Sequence, residues 1–457
     1  MSKKFLALLL LGVFILETGF GCKTTDSKTQ QAMKSITLNY WRVYDGPDDF
    51  QDIIKEYQKL HPFVNINYRK LRYDEYENEL INALAEDRGP DIFSIQNTWI
   101  KKYQNKIAPL PDQTTMAFPV VTGSIKKEVI NQLITNKSLT PKDVKDKFAD
   151  VVANDVVLED NKIYGLPLSI DTLAMYYNRD LFNEAGIVEA PKYWNKDFQQ
   201  DVKKLSKQNT KKEITQAGVA LGGSSNINRA SDILSVLMMQ NGAVMLDNGS
   251  VQFNIIPNKP GFKENNYNPG LEALRFYSDF SNPGKEVYSW NETLPNSLEM
   301  FTNGNLATYF GYSYDLPTIK ANSPKLNFSV AKLPQIEGNP DVNFANYWIE
   351  TVSKKSQYAN EAWDFVQFMT KAEQVKSYLD KTKRPTALKA LIPGQRDDAD
   401  LGVFADQVLT AKSWYRGLDP SGAEKAILEM ISAAVKSYDR LAEAINDGAA
   451  KIQQTIR

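Results

Sequence analysis

Residues 161–182, NKIYGLPLSIDTLAMYYNRDLF, constrain this chain more than any other stretch. Gly165 and Pro167 make a turn at its start. Between Leu166 and Tyr177 only Ser169, Asp171 and Thr172 interrupt an apolar run, and Asn178-Arg179-Asp180-Leu181-Phe182 reads as a turn into a helix. An apolar run bounded by turn residues predicts a strand buried on both faces. A carboxylate within it needs a reason, because burying an unpaired charge is costly. Two readings of Asp171 stay open: a strand end wetted by a loop, or a strand crossing between two lobes with the carboxylate facing a polar cleft.

At 457 residues the chain exceeds what one core fills, so two domains are expected. Its 54 Lys+Arg are interspersed among 55 Asp+Glu, with no basic patch of the kind that binds nucleic acid. The 22 Tyr and 7 Trp suit either a large core or flat rings that stack on a ligand.

The N-terminus reads as an export signal over residues 1–21. Lys3 and Lys4 precede an apolar run from Phe5 to Leu16, too short for a permanent span, and Gly19-Phe20-Gly21-Cys22 follows. Cys22 is the single cysteine, which excludes disulfides within the chain. Its place after the small-residue break predicts a lipoprotein signal in which Cys22 carries the lipid. Gly19 and Phe20 depart from the usual box before such a cysteine. Residues 22–35 are polar and predict a flexible tether.

From Ile36 the pattern alternates β-α-β-α-β. Strands are predicted at 36–43, 64–71 and 91–95, with helices to Leu60 and over 73–86. This order predicts a parallel sheet, whose ligands bind beyond the carboxyl ends of the strands. Tyr44, Asp45 and Gln96-Asn97-Thr98-Trp99 occupy such ends. Residues 109–160 read as mostly helical with turns. Later helices are predicted at 231–240, 271–280, 297–302 and 361–370, with 404–416 and 423 onward largely helical. Short strands are predicted at 218–221, 306–310, 328–333 and 347–352. No internal repeat occurs.

Several pieces, in order, resemble the extracellular solute-binding proteins of ABC importers, of the carbohydrate type that includes maltose-binding protein. They are Tyr164-Gly165-Leu166-Pro167 with Tyr177-Asn178-Arg179-Asp180-Leu181-Phe182; Phe301-Thr302-Asn303-Gly304-Asn305-Leu306-Ala307; Leu333-Pro334; Glu361-Ala362-Trp363-Asp364-Phe365; and a late helical hairpin. The box before Cys22 and an insertion-like stretch over 111–146 depart from compact members. The resemblance implies an α/β, two-lobed, periplasmic-binding-protein-like fold with a hinge of crossing strands and an interlobe cleft. It puts the crossings near 169–172, 347–351 and 384–387. Lobe 1 is then 36–169 with 351–384, and lobe 2 is 170–350 with 385–457, closing about the hinge when ligand binds.

The same resemblance implies a sugar site in the cleft, where aromatic faces meet the C–H faces of sugar rings and carboxylates or amides meet the hydroxyls. Asp45, the loop Gln96, Asn97, Thr98 and Trp99, and Asp171 match binding positions, as do Tyr312 and Tyr314, Trp348, and Trp414, Tyr415 and Arg416. Helix capping by Asp45 and core packing of Tyr312, Tyr314 and part of 414–416 are the competing readings. The loop 222–226 reads as a surface loop, with polar contacts to the ligand as the alternative. The implied partners are a carbohydrate ligand, two permease subunits with a separate ATPase subunit, and the membrane through Cys22. The expectation is a monomer on the outer face of the cell membrane or in the periplasm, with no cofactor, metal or nucleic acid.

Enzyme readings find little support. His61 is the single histidine, at a helix stop before Pro62, so a catalytic device needing another histidine is impossible. No Cys/His metal spacing and no phosphate-binding GxxxxGK[ST] loop occurs. Asp397, Asp398 and Asp400 lack the calcium-loop spacing and read as a solvated turn. A glycosidase using Asp45 and Asp171 as a carboxylate pair, a binding protein for a peptide or polyamine, and an envelope adhesion protein are the alternatives to a sugar receptor.

Overall fold

The computed structural model describes residues 27–124 and 127–457. The expectations for the export signal and Cys22 lie outside them; of the stretch 22–35 expected to be a flexible tether, Ser27–Ala32 is instead a short helix packed on the strands at 113–137. The first sheet is built on β1 (Ile36–Val43), β2 (Val64–Leu71) and β3 (Ile92–Gln96), which pair in parallel with β1 central. The strand Trp348–Ser353 joins antiparallel to β3 and carries β4 (Ile107–Ala108) and, off the main path, β7 (Leu166–Pro167). Helices Pro47–Leu60 and Tyr73–Ala85 bury Phe50, Ile53 and Tyr57, and Tyr76, Leu80 and Leu84, as their apolar spacing requires. This is lobe 1.

The second lobe is organised on β9 (Ala174–Asn178). It pairs antiparallel on one side with Thr308–Gly311 and on the other with Phe328–Lys332. Helices Ala230–Gln240, Pro269–Asp279, Pro420–Lys436 and Leu441–Ile456 pack around it. Between the lobes a small sheet joins β8 (Asp171–Thr172) to Asn343–Asn346, which pairs in turn with Ala411–Lys412.

The opening apolar run is not one strand. It breaks into β7, β8 and β9, each in a different sheet, because the chain must leave one lobe, pass the hinge and enter the other. Leu166, Leu168 and Ile170 belong to the lobe 1 core, and the residues from Leu173 to Tyr176 to the lobe 2 core. The second crossing falls between Phe344 and Ala345, a few residues before 347–351. The third is longer than 384–387: Ala387, Leu388 and Ile392 are still in the lobe 1 core, and Phe404 is the first residue in the other. Val408 and Ala411 return to the lobe 1 core before Trp414 rejoins lobe 2, so this segment straddles the boundary.

Three further expectations are corrected. Residues 113–137 are not helical but form a hairpin of two ten-residue strands, β5 (Gln113–Thr122) and β6 (Glu128–Lys137). Their Thr, Val and Ile content favours extended backbone, and the helical expectation neglected it. Residues 218–221 form no strand; Ala217 makes a single bridge to Leu306. The stretch 404–416 is helical only through Gln407, with a 3-10 turn and a two-residue strand after it.

Candidate functional site: a cleft at the lobe crossings

A cavity of about 340 Å³ opens where the crossings meet. From lobe 1 come Tyr44 after β1, Tyr73 at the start of its helix, Gln96 ending β3, and Trp348. The hinge segments supply Ser169, Asp171, Asn346, Tyr347, Arg384 and Pro385, and lobe 2 supplies Arg229 and Tyr314. Such a volume matches small-ligand pockets, which run from about 300 to 1,000 Å³.

The lobe 1 wall is aromatic. Tyr44 and Tyr73 stack, 5.7 Å between centroids and 18° between planes. Trp348 meets Tyr44, Tyr73, Tyr76 and Trp99 edge to face, at 5.7 to 6.3 Å. Trp348 is held from behind, whereas Tyr44 and Tyr73 are each about half exposed, at 50% and 53%. Tyr44 has a φ of 63°, and the Asp45 amide donates to the Val43 carbonyl at 2.7 Å, closing a three-residue turn around it. A tyrosine in this left-handed region costs on the order of 1 kcal/mol or more, and such strain gathers at functional positions. Here it turns the chain sharply at the strand end and leaves the Tyr44 ring at the cavity.

Beneath that wall lies a buried charge cluster that was not legible from sequence. Arg42 pairs with Asp45 through Nε at 2.8 Å and also contacts the Glu350 carboxylate. Glu350, fully buried, accepts from Tyr40 at 2.7 Å and Ser94 at 2.6 Å. Asp45 accepts from Tyr378 at 2.9 Å and from Arg384 at 2.7 Å. Two cations and two anions thus satisfy one another through several hydrogen bonds, the condition under which buried charge is tolerated. Asp45 does not line the cavity: both its oxygens are committed, and its task is to hold Arg384 of the third crossing. Neither reading offered for it, sugar contact or helix cap, anticipates this. The Gly46–Asp49 contact caps the helix instead.

Asp171 does line the cavity. It accepts from the Ser313 amide at 3.1 Å, the Ser313 hydroxyl at 2.7 Å and the Thr172 amide at 2.9 Å. Burial pushes its carboxyl up to about 6, against these hydrogen bonds and the pull of Arg384. Asp315 is also raised to about 6 by burial, while accepting from Tyr309 at 2.8 Å. Arg229, with φ 57°, precedes the helix Ala230–Gln240 and pairs with Asp232 at 2.8 Å and Glu424 at 3.4 Å. Tyr314 is 47% exposed and stacks on Tyr312 at 5.4 Å. Tyr312 itself is fully buried, donating to Asp232 at 2.7 Å, so of this pair only Tyr314 reaches the cavity.

A smaller side cavity of about 80 Å³ adjoins the first and shares Tyr73, Gln96, Arg229 and Asn346 with it. Asn97, Thr98, Trp99, Trp414 and Tyr415 line it. Asn97 also donates to Asp155 at 3.3 Å, and Trp99 stacks on Tyr103 at 5.8 Å, so both are partly structural. Arg416 lines neither cavity. It pairs with the buried Asp155, which also accepts from Ser413 at 2.6 Å and from Tyr347, tying the late segment to lobe 1. Tyr73, Ser169, Arg229, Asn346, Tyr347, Arg384 and Pro385 were missed. The only sequence signal for them was proximity to the hinge crossings, and for Tyr73 and Arg229 not even that.

Elsewhere, His61 is buried between Tyr57 and Phe118, with Nε2 3.4 Å from Asp364. Asp398 caps its own turn and Asp400 pairs with Lys320. The loop 222–226 is not a surface loop: all but Ser225 is buried, and Asn226 accepts from the Trp290 indole at 3.0 Å. Among the described residues no cluster of three His, Cys, Asp or Glu could hold a metal, and no helix is long and apolar enough to cross a membrane.

Two α/β lobes, chain crossings between them and a cavity at those crossings define a two-lobed binding protein of the interlobe-cleft class. The chain belongs to the bacterial extracellular solute-binding protein family, whose model matches residues 45–376. It is 25% identical to the multiple sugar-binding protein of Streptococcus mutans over 396 residues, covering 85% of this chain and 83% of that one. It is 21% identical to the galactooligosaccharide-binding protein of Bacillus subtilis, covering 92% and 88%. In structure it is similar to a cyclo/maltodextrin-binding protein complexed with maltotetraose, with a TM-score of 0.70 at 17% identity over 93% of this chain and 98% of that one. It is likewise similar to the sugar-binding protein of Xanthomonas citri, with a TM-score of 0.69 at 17% identity, covering 92% and 97%.

Proposed function

We propose that this chain is a lipid-anchored receptor that takes a sugar or oligosaccharide into the interlobe cleft and delivers it to the permease of an ABC importer. One observation carries the ligand class: half-exposed Tyr44 and Tyr73 on one wall face a cavity whose other lining residues include Asp171, Gln96, Asn346 and Tyr314. Rings suit the C–H faces of a sugar, and planar acceptors suit its hydroxyls. The sugar named for the Streptococcus and Bacillus relatives supports the same reading. The chain's own contribution is binding; ATP hydrolysis belongs to a separate subunit of the importer. Cys22 holds the receptor at the outer face of the membrane.

The glycosidase alternative requires Asp45 and Asp171 to flank one substrate bond. Asp45 instead has its oxygens bound by Arg42, Tyr378 and Arg384. A thermal-shift panel of mono- and oligosaccharides tests the ligand class. A sugar at a hundredfold its Kd raises stability by about 2.7 kcal/mol. No response to any sugar, with a response to a peptide or polyamine, would overturn the sugar reading while keeping the binding class.

A further inference from the structure

The β5–β6 hairpin has two unlike halves. Its base is fastened to lobe 1. Thr114 donates to Asp364 at 2.9 Å, Thr115 and Asn360 exchange two hydrogen bonds of 2.9 Å, and Phe118 packs on His61. Beyond Phe118 none of the described ribbon residues up to Ile130 packs on the lobe 1 core. Val121 and Val129 stand opposite each other in register, 61% and 67% exposed. Val120 and Ile130 are the next opposed pair and therefore point to the other face, half-buried. None of the four belongs to a hydrophobic core. A ribbon with one packed face normally turns a polar face to water. The distal half of this ribbon instead carries an aliphatic cross-strand pair on each face, Val121 and Val129 beside Pro119 and Asn131 on one, Val120 and Ile130 beside Thr122 and Glu128 on the other, and among the described residues β5 and β6 pair only with each other. Exposed aliphatic surface of this kind marks a contact with something apolar.

The helix Ser27–Ala32 packs against β5 and β6, beside Thr115, Met116, Ala117 and Leu133. Cys22 lies five residues before Ser27, a reach of about 17 Å when extended. Val121 lies four residues beyond Ala117 along β5, about 13 Å. A lipid on Cys22 and the ribbon tip therefore fall within reach of the same surface.

We propose that the distal half of the β5–β6 ribbon is a membrane-contact element, which lays Val120, Val121, Val129 and Ile130 into the boundary between headgroups and acyl chains beside the anchor. Lys127, at the tip, meets the headgroups. The ribbon and the anchor act as two weak membrane signals, which together hold a protein more firmly than one. They also orient lobe 1 against the bilayer, which a flexible tether alone does not. The proposal rests on the lipid-anchor reading for its geometry, and its test separates the two.

The chain from residue 22 onward with Cys22→Ser is compared with the same chain carrying Val120→Ser, Val121→Ser, Val129→Ser and Ile130→Ser. Both are mixed with vesicles of phosphatidylcholine and phosphatidylglycerol in equal parts. The four substitutions are expected to lower vesicle partition at least about tenfold, because binding scales with buried apolar area. The melting temperature stays unchanged, which separates this loss from unfolding. As a second readout, Val121→Trp in the Cys22→Ser background shifts its emission to the blue on vesicles. Unchanged partition and unshifted emission overturn the proposal. So does a dimer that the substitutions dissolve, or a loss of solute uptake with partition intact; these assign the ribbon to a second copy or to a membrane protein. The acyl mass on Cys22 of the wild-type chain is read separately. If it is absent while the ribbon still governs partition, the anchor reading fails and the ribbon proposal stands.

Discussion

The lobe 1 wall of the cleft hides its charges behind aromatic rings, whereas the opposite side leaves charges at the cavity surface. Behind Tyr44, Tyr73 and Trp348, Arg42 is matched by Asp45 and Glu350, and Asp45 also holds Arg384 of the hinge at the cavity edge. Facing them, Asp171 and Arg229 line the cavity directly, and burial lifts Asp171 to about 6. One wall is thus a charge-balanced aromatic platform. The other presents titratable and hydrogen-bonding groups to the cavity. A carboxylate near a cleft can serve either purpose, and only its partners tell which.

Glu350→Ala breaks the platform and carries the largest expected effect. It leaves Arg42 buried with one partner fewer, at a cost of about 3–5 kcal/mol. Chemical denaturation reads this directly; a loss under about 1 kcal/mol would mean the cluster is not what supports the wall. Asp171→Asn addresses the opposite side and is expected to weaken sugar binding about tenfold or more, since a hydrogen bond to a charged group is worth about 1.5–3 kcal/mol. Calorimetric titration checks it.

The same residue predicts a split pH response. Protonation of Asp171 as pH falls through about 6 removes an acceptor, so affinity drops toward tenfold per pH unit below that point. Stability moves the other way. The folded carboxyl binds its proton more tightly than the unfolded one, so this contribution is full below the ordinary carboxylate range and is lost as pH rises through about 6. Asp315 adds a like slope. Affinity and melting temperature followed together from pH 7 to 5 should diverge, and Asp171→Asn should flatten the affinity curve while leaving the Asp315 part of the stability curve.

Two ring substitutions give smaller effects that still tell the walls apart. Tyr314→Ala removes a half-exposed ring and should cost about 1 kcal/mol of affinity with little change in stability. Tyr44→Gly should also lower affinity, yet raise or preserve stability by up to about 1 kcal/mol, because glycine accepts the left-handed turn without strain. If Tyr44→Gly destabilises instead, the ring is structural and the platform reading of this wall is wrong.

Much of this architecture was legible in local pattern. The alternation of strands and helices from Ile36 to Gln96 rests on 2.0 and 3.6 residue periods that neighbouring side chains impose, and those elements form where they were expected. The family, too, was legible, because turn and helix-start residues around 164–182 and 301–307 recur in order. The hairpin at 113–137 was missed because β-branched content there competed with an expectation of helix taken from its surroundings.

What the tertiary structure alone decided is which polar groups are spent on each other. Asp45 and Asp171 look alike in sequence: each is an acidic residue next to a β-rich run. Tyr378 and Arg384, 333 and 339 positions away, close with neighbouring Arg42 around Asp45, and Glu350 holds Arg42 from behind, while Asp171 accepts from Ser313 and its own backbone neighbour. Contacts between residues hundreds of positions apart leave no periodicity in a single sequence. The apolar run from Leu166 to Tyr177 therefore announced a buried crossing by itself. That it is three short strands in three sheets, with its one carboxylate left to the cleft, followed only from the packing of two cores against one hinge.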